Sequence, residues 1–192
     1  MIKGLSNTVY ILLLEHSRLT PFTIPFIYLM LFIVTWDLRN LYIVGLVFFN
    51  MILNSLLKHG IRGIYKLINT ESIHILGRGY RPLGAKSCSV SGSNKMGVSS
   101  QTFGMPSGHA QIIWSLAAYY IFYLYDAYKY TNKFKIIYPV AVIAIILTAT
   151  FVSYSRVVLG CHTPQQIILG GVIGFGIGSI AYYIEPTFPE LN

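Results

Sequence analysis

The charges of this 192-residue chain leave five stretches without Lys, Arg, Asp or Glu: Thr20 to Trp36, Leu41 to Leu57, Ala110 to Tyr125, Ile136 to Val152 and Pro164 to Ile184. Each stretch is 16 to 21 residues long. As helix that covers roughly 24 to 32 Å, close to the roughly 30 Å of bilayer hydrocarbon. Only 10% of the chain is charged, against about a quarter in a soluble domain, and mean hydropathy is +0.60. A soluble globule this small has too little polar surface to cover five such helices. A disordered tail and a disulfide-stapled secreted module are excluded by the same distribution. The expected fold is all-α, a polytopic membrane bundle of about five spanning helices forming one domain over residues 1–192. A short N-terminal interfacial helix is expected before it, because the apolar run Val9 to Leu14 is too short to span and is closed by Glu15, His16 and Arg18.

If the spans alternate, the scarce charges sort by side. Lys3, Arg18, Lys58, Arg62, Lys66, Arg78, Arg81, Lys86, Lys95 and Arg156 fall on one face with only Glu15 and Glu71. Arg39, Lys129, Lys133 and Lys135 fall on the other with Asp37, Asp126, Glu185 and Glu190. The basic face suits an anionic substrate, not nucleic acid, because most aromatics sit in or beside the spans as interfacial belts and form no stacking platform. Cys88 and Cys161 match no zinc or redox spacing. Both fall on the basic face, which leaves a disulfide open, but separate thiols are the expectation.

The connection 58–105 on the basic face is too long for an ordinary loop. Its second half is rich in Ser and Gly, from Gly84 to Gly104, and reads as mobile. Its first half places apolar residues at Ile61, Ile64, Tyr65, Ile68, Ile73 and Leu76, a period that predicts an amphipathic interfacial helix. In the last span, Gly170, Gly174 and Gly178 stand four apart, the spacing that lets helix backbones approach closely in lipid.

Three segments of the basic face can do chemistry. Gly104-Met105-Pro106-Ser107-Gly108-His109 precedes the third span, where a helix start offers free N–H groups and a positive dipole end to an anion. Ser155-Arg156 and His162-Thr163-Pro164-Gln165-Gln166 join the fourth and fifth spans, pairing a guanidinium fork with a potential nucleophile or base. Arg81-Pro82 lies between them in the chain, and Lys58 ends the second span.

Together these segments resemble the type 2 phosphatidic acid phosphatase superfamily, whose signature is Lys-x6-Arg-Pro, then Pro-Ser-Gly-His, then Ser-Arg-x5-His-x3-Asp. Pro106 to His109 match the second element, and Ser155, Arg156 and His162 match the third. Two departures stand out. Lys58 is 23 residues from Arg81, which reads as an insertion of about residues 62–79 and leaves Lys66 and Arg78 as alternative cations. Gln166 replaces the aspartate, as in the dolichyl diphosphate phosphatase branch.

The resemblance implies that His162 attacks phosphorus to give a phosphohistidine, while His109 protonates the leaving oxygen and later activates water. It implies that Arg81, Arg156, Lys58, Ser107 and the Gly108 N–H hold phosphate oxygens, and that Gln166 orients His162. Two carboxylates on the basic face are too few for two-metal chemistry, so no metal or cofactor is expected. The implied activity is hydrolysis of a polyprenyl diphosphate, with phosphatidate or another lipid phosphate as the alternative. A non-catalytic lipid-phosphate-binding protein of the same fold is a third reading, and transfer to an acceptor other than water stays open. The resemblance also implies a site facing the lumen, as in the endoplasmic reticulum, or the exterior. Total basic count would put that face in the cytoplasm, whereas the short loop bearing Lys129, Lys133 and Lys135 argues the reverse. Oligomeric state is not legible.

Overall fold

A computed structural model describes residues 2–85, 88, 102–130 and 137–185. The Ser- and Gly-rich part of the long loop, Lys86, Lys95, Lys133, Lys135 and Glu190 lie outside the described residues, as do the side chains of residues 2–13, 15 and 130. Among the described residues five helices carry the fold: α1 (Ile2–Thr35), α2 (Leu38–Leu67), α3 (Gly108–Tyr130), α4 (Ile137–Val158) and α5 (Pro164–Tyr183). Four contain a segment long and apolar enough to cross a membrane, in α1 from His16 to Thr35 and in α2, α4 and α5 throughout. The exception is α3. It is the enclosed helix, burying Ala110 to Ile113 and Ser115 to Tyr119, so its surface need not be apolar to suit lipid.

The N-terminal segment corrects the expectation of a separate interfacial helix, because α1 runs unbroken from Ile2. No Gly or Pro interrupts residues 5–20, and Pro21 and Pro25 are accommodated inside the helix. Pro21 has no N–H for the Ser17 carbonyl. The Thr20 hydroxyl donates to that carbonyl instead, at 3.0 Å.

The amphipathic helix expected over Ile61 to Leu76 is also corrected. Helix α2 continues past Lys58 to Leu67 and then stops. Asn69 adopts φ 48°, and the Asn69 and Thr70 N–H groups donate to the Lys66 and Tyr65 carbonyls, both at 3.1 Å. That is a Schellman termination with Asn in the left-handed position. The rest forms a two-stranded antiparallel ribbon, β1 (Ser72–Ile73) with β2 (Gly77–Arg78). Its apolar residues Ile73 and Leu76 pack with Tyr65, Phe103 and Met105 as a small cluster over the bundle end.

Two devices join the helices. The glycine stripe of α5 lies against the α3 backbone: a Cβ at Gly170 would stand 2.5 Å from the Ser107 oxygen, one at Gly174 2.8 Å from the Gln111 carbonyl carbon, and one at Gly178 2.7 Å from that of Ser115. On the other side of α3, a buried amide ladder meets α2. Asn54 Nδ2 donates to Gln111 Oε1 at 2.9 Å, and Asn50 Nδ2 to Ser115 Oγ at 3.0 Å. Paired amides of this kind hold helices together where no water competes.

The chemistry-bearing ends of the helices converge. Ser17 and Ser155 hydroxyls meet at 2.8 Å, and Asn54 Nδ2 reaches the Pro106 carbonyl at 3.3 Å. At the opposite end Arg39 pairs with Glu185 at 2.9 Å, and the Tyr182 hydroxyl donates to Asp126. Both carboxylates are thus held at the far end of the bundle.

Candidate active site

The turn from α4 to α5 is built by two consecutive capping motifs. Gly160, at φ 66°, ends α4: its N–H donates to the Val157 carbonyl at 2.8 Å, and the Cys161 N–H to that of Arg156 at 2.9 Å. This Schellman arrangement needs the positive φ that glycine supplies without strain. Two residues on, Thr163 caps α5 with Pro164 in the first turn and Gln166 at the third position of a capping box. His162 is pinned between the two motifs and is 3% exposed.

Gln166 is fully buried, and its hydrogen bonds fix which way its amide points. Nε2 donates to the Arg78 and Tyr80 carbonyls, both at 2.9 Å, and lies 3.3 Å from that of Gly79. Only an NH2 group can serve those acceptors, so Oε1 is the atom facing His162. It accepts from His162 Nδ1 at 2.9 Å and from the Thr163 N–H at 3.3 Å. Nδ1 therefore carries the proton and Nε2 the lone pair, an assignment drawn from the network. The segment 78–80, which leaves the hairpin, explains why glutamine belongs here: its carbonyls present acceptors that an aspartate could not satisfy.

Nε2 of His162 lies 3.5 Å from Arg81 Nη1. Arg81 is itself aimed by its Nε, which donates to Thr102 Oγ1 at 2.9 Å, and its Nη1, which donates to the Cys161 carbonyl at 3.1 Å. Arg156 is fully buried and donates from Nη2 to the Cys88 carbonyl at 3.1 Å. Burial, with the positive charges of Arg81, Lys58 and Arg156, pushes His162 well below the usual histidine value, against the pull of its bond to Gln166. Burial lowers the Arg81 guanidinium as well. Lys58, half-buried at its position on α2, belongs to this cluster despite the 23-residue gap.

The field of the same three cations reaches His109, in the first turn of α3. His109 Nε2 donates to the Arg18 carbonyl at 3.1 Å, which leaves Nδ1 as its acceptor when neutral. Ser107 caps α3, since the Gln111 N–H donates to its carbonyl at 3.0 Å. Gly108 then opens the helix, and its N–H is among the first-turn donors that no intrahelical carbonyl can serve. The Ser107 hydroxyl is fully buried and has no hydrogen-bond partner among the described residues.

Eight side chains or N–H groups named from the sequence thus meet at one end of the bundle. The two alternative cations do not. Lys66 and Arg78 line a separate surface groove of about 610 Å³ with Glu71, Asn69 and Thr70, and Arg78 pairs loosely with Glu71 at 3.6 Å. Arg78 serves the site only through its backbone carbonyl.

Cys88 and Cys161 correct the expectation of separate thiols, because they form a disulfide. They are 73 residues apart in sequence, and only tertiary structure brings them together. Several contributors escape sequence reasoning. The Arg18 and Cys161 carbonyls carry no residue-type signal at all. Thr102, Asn54 and Gln111 were legible only as polar residues beside or within apolar stretches.

The chain matches the sequence profile of the PAP2 superfamily over residues 39–190. It is 34% identical to Dolichyldiphosphatase 1 of Homo sapiens over 99 residues, 46% of this chain and 41% of the relative. It is 28% identical to Dolichyldiphosphatase 1 of Mus musculus over 189 residues, 93% of this chain and 68% of the relative. A palmitoyl-protein thioesterase-dolichyl pyrophosphate phosphatase fusion of Schizosaccharomyces pombe is 39% identical over 91 residues, 47% of this chain and 14% of the relative. The matched region thus spans less than half the length of the human relative. No solved structure matches. With a profile covering most of the chain, and with His109, His162, Arg81 and Arg156 at one end of a membrane helix bundle, this chain belongs to the PAP2 superfamily.

Proposed function

We propose that this protein is a membrane lipid phosphatase that removes the terminal phosphate of a polyprenyl diphosphate of the dolichyl type. The observation that carries the reading is the His162–Gln166 pair beneath the cations: a neutral imidazole with Nδ1 held and Nε2 offering its lone pair beside Arg81. The names of the curated relatives favour the diphosphate over phosphatidate.

In the proposed reaction Nε2 of His162 attacks the terminal phosphorus in line. A P–N bond forms as the bond to the bridging oxygen breaks, and the polyprenyl monophosphate leaves with a proton from His109. Because the His109 Nε2–H is held by the Arg18 carbonyl, this step requires His109 as the imidazolium, with its second proton, taken up as the substrate's negative charge enters the site, on Nδ1. Nδ1 gives that proton and later takes one from water. That water cleaves the P–N bond and releases inorganic phosphate. Arg81, Arg156 and Lys58 neutralise the phosphoryl oxygens, and the Ser107 hydroxyl and Gly108 N–H donate to them. With Asp126 and Glu185 held at the other end of the bundle, these cations take the place of a metal.

The disulfide beside the site favours an oxidising compartment, and so a site on the lumenal or exterior face of the membrane. The decisive assay is phosphate release from dolichyl diphosphate and from phosphatidate, with and without EDTA. His162→Ala should abolish release while the protein still inserts in membranes. Retained turnover would remove the assignment, and strict dependence on magnesium would remove the metal-free mechanism.

A further inference from the structure

The Cys88–Cys161 disulfide touches both arginines of the site, through main-chain carbonyls and not through sulfur. The carbonyl of Cys161 accepts from Arg81 Nη1 and that of Cys88 from Arg156 Nη2, each at 3.1 Å. Arg81 comes from the long loop and Arg156 from the end of α4, so the bonds cross. Loop residue Cys88 holds the helix arginine, and turn residue Cys161 holds the loop arginine. Cys88 and Cys161 are nearly fully buried with Ala85, against Leu159. Cys161 also immediately precedes His162, whose N–H donates to the Arg156 carbonyl at 3.1 Å. One covalent bond therefore ties together the positions of both guanidinium groups and the backbone of the candidate nucleophile.

The α4–α5 turn is already fixed by its capping motifs, so the Cys161 end is rigid without the disulfide. The Cys88 end is different. It lies in the connection from α2 to α3, beyond the turn in which the Ala85 N–H donates to the Pro82 carbonyl at 3.2 Å, and a carbonyl outside helix or strand holds its place only at an entropic cost. A cross-link to the rigid turn removes most of that freedom.

We propose that the disulfide is a positioning device for Arg81 and Arg156, so that reduction weakens phosphate binding and turns the site down while the bundle stays folded. The proposal rests on reading the site as a phosphate site. Oxidation joins the two thiols with loss of two protons and two electrons to a disulfide oxidant such as oxidised glutathione. A phosphine reductant reverses it, taking oxygen from water to become the phosphine oxide as two thiols form.

The test uses the whole chain in nanodiscs, before and after phosphine treatment, with thiols counted by alkylation and mass spectrometry. Inhibition by orthovanadate reports phosphate-site affinity, and kcat and KM are measured for the diphosphate. Reduction should raise both the vanadate inhibition constant and KM on the order of tenfold, the worth of a charge-assisted hydrogen bond. Oxidised glutathione should restore both. A Cys88→Ser, Cys161→Ser double variant should resemble the reduced protein and ignore the reductant. Unchanged vanadate affinity in protein with both thiols alkylated would overturn the proposal, even if thermal stability fell, because that is the signature of a merely structural bridge. Two alkylatable thiols in the untreated protein would overturn it as well. If the oxidised protein binds vanadate through this site but releases no phosphate, the proposed activity fails while the affinity readout still judges the disulfide.

Discussion

Replacing the stripe glycines of α5 by alanine, one at a time, separates stability from activity along a single helix. A Cβ at Gly174 would stand 2.8 Å from the Gln111 carbonyl carbon and 2.9 Å from its Cα, and one at Gly178 2.7 and 2.9 Å from the same atoms of Ser115. Carbon atoms pack comfortably at about 3.5 to 4.0 Å, so each methyl asks α3 and α5 to separate by about 1 Å. Backbone cannot rotate away as a side chain can. Overpacking of this kind costs about 1–3 kcal/mol, and for Gly174 the separation would also strain the Asn54–Gln111 bond on the opposite side of α3. Gly170 differs in what it touches. Its Cβ would lie 2.5 Å from the Ser107 oxygen and 3.2 Å from the Ser107 nitrogen, whose N–H donates to the Gln166 carbonyl at 3.0 Å. The substitution therefore pushes the Pro-Ser-Gly-His turn away from the residue that holds His162. A displacement near 1 Å is enough to cost on the order of a hundredfold in rate. Gly176 is the internal control, with nothing within 4 Å of its Cβ. Thermal unfolding and phosphate release in the same nanodiscs should show Gly178→Ala destabilised, Gly170→Ala with the largest loss of rate, and Gly176→Ala unchanged in both. If Gly176→Ala is as damaging as Gly174→Ala, close backbone approach is not what the stripe provides.

Other substitutions test the site itself. Gln166→Glu keeps the shape but sets a carboxylate against the Arg78 and Tyr80 carbonyls. With two acceptors stranded at about 1–3 kcal/mol each, kcat should fall tenfold or more, and wild-type activity would refute the assigned amide orientation. Unfolding free energy against pH probes His162, which the fold holds well below the usual value. The unfolded chain takes up that proton near pH 6.5, so the stability is fully present above about pH 6.5 and is lost as pH falls below it, at up to about 1.4 kcal/mol per unit. His162→Asn should make that slope shallower, leaving the share of His109, which burial and the same cations also lower, and a variant with the wild-type slope would contradict it. Ser107→Ala removes a buried hydroxyl with no protein partner among the described residues; stability should hold within about 0.5 kcal/mol while KM rises several-fold. A large fall in melting temperature with unchanged KM would give the hydroxyl a packing role instead.

By itself the sequence determined the solvent and marked the residues able to do chemistry. Five stretches without charge dictate helices in lipid, because unpaired backbone cannot be left there, and the glycine spacing marks which face of α5 packs closely. The turn at His162 is equally local: Gly160, Thr163, Pro164 and Gln166 are capping residues whose roles follow from their own backbone geometry. The tertiary structure decided what depends on distant residues meeting. Whether α1 was one helix or two could not be read from the charges that close its first apolar run, because the helix continues through them and accommodates Pro21 and Pro25. Periodicity over Ile61 to Leu76 was real, but Asn69 ended the helix, and Ile73 and Leu76 are half-buried by way of a ribbon instead. Lys58 adds its charge to the field at His162 although 23 residues separate it from Arg81, and Cys88 reached Cys161 across 73 residues. Charge and hydropathy are local sums that can be read along a chain, whereas a carbonyl aimed at an arginine is a property of two segments and exists only once both are folded.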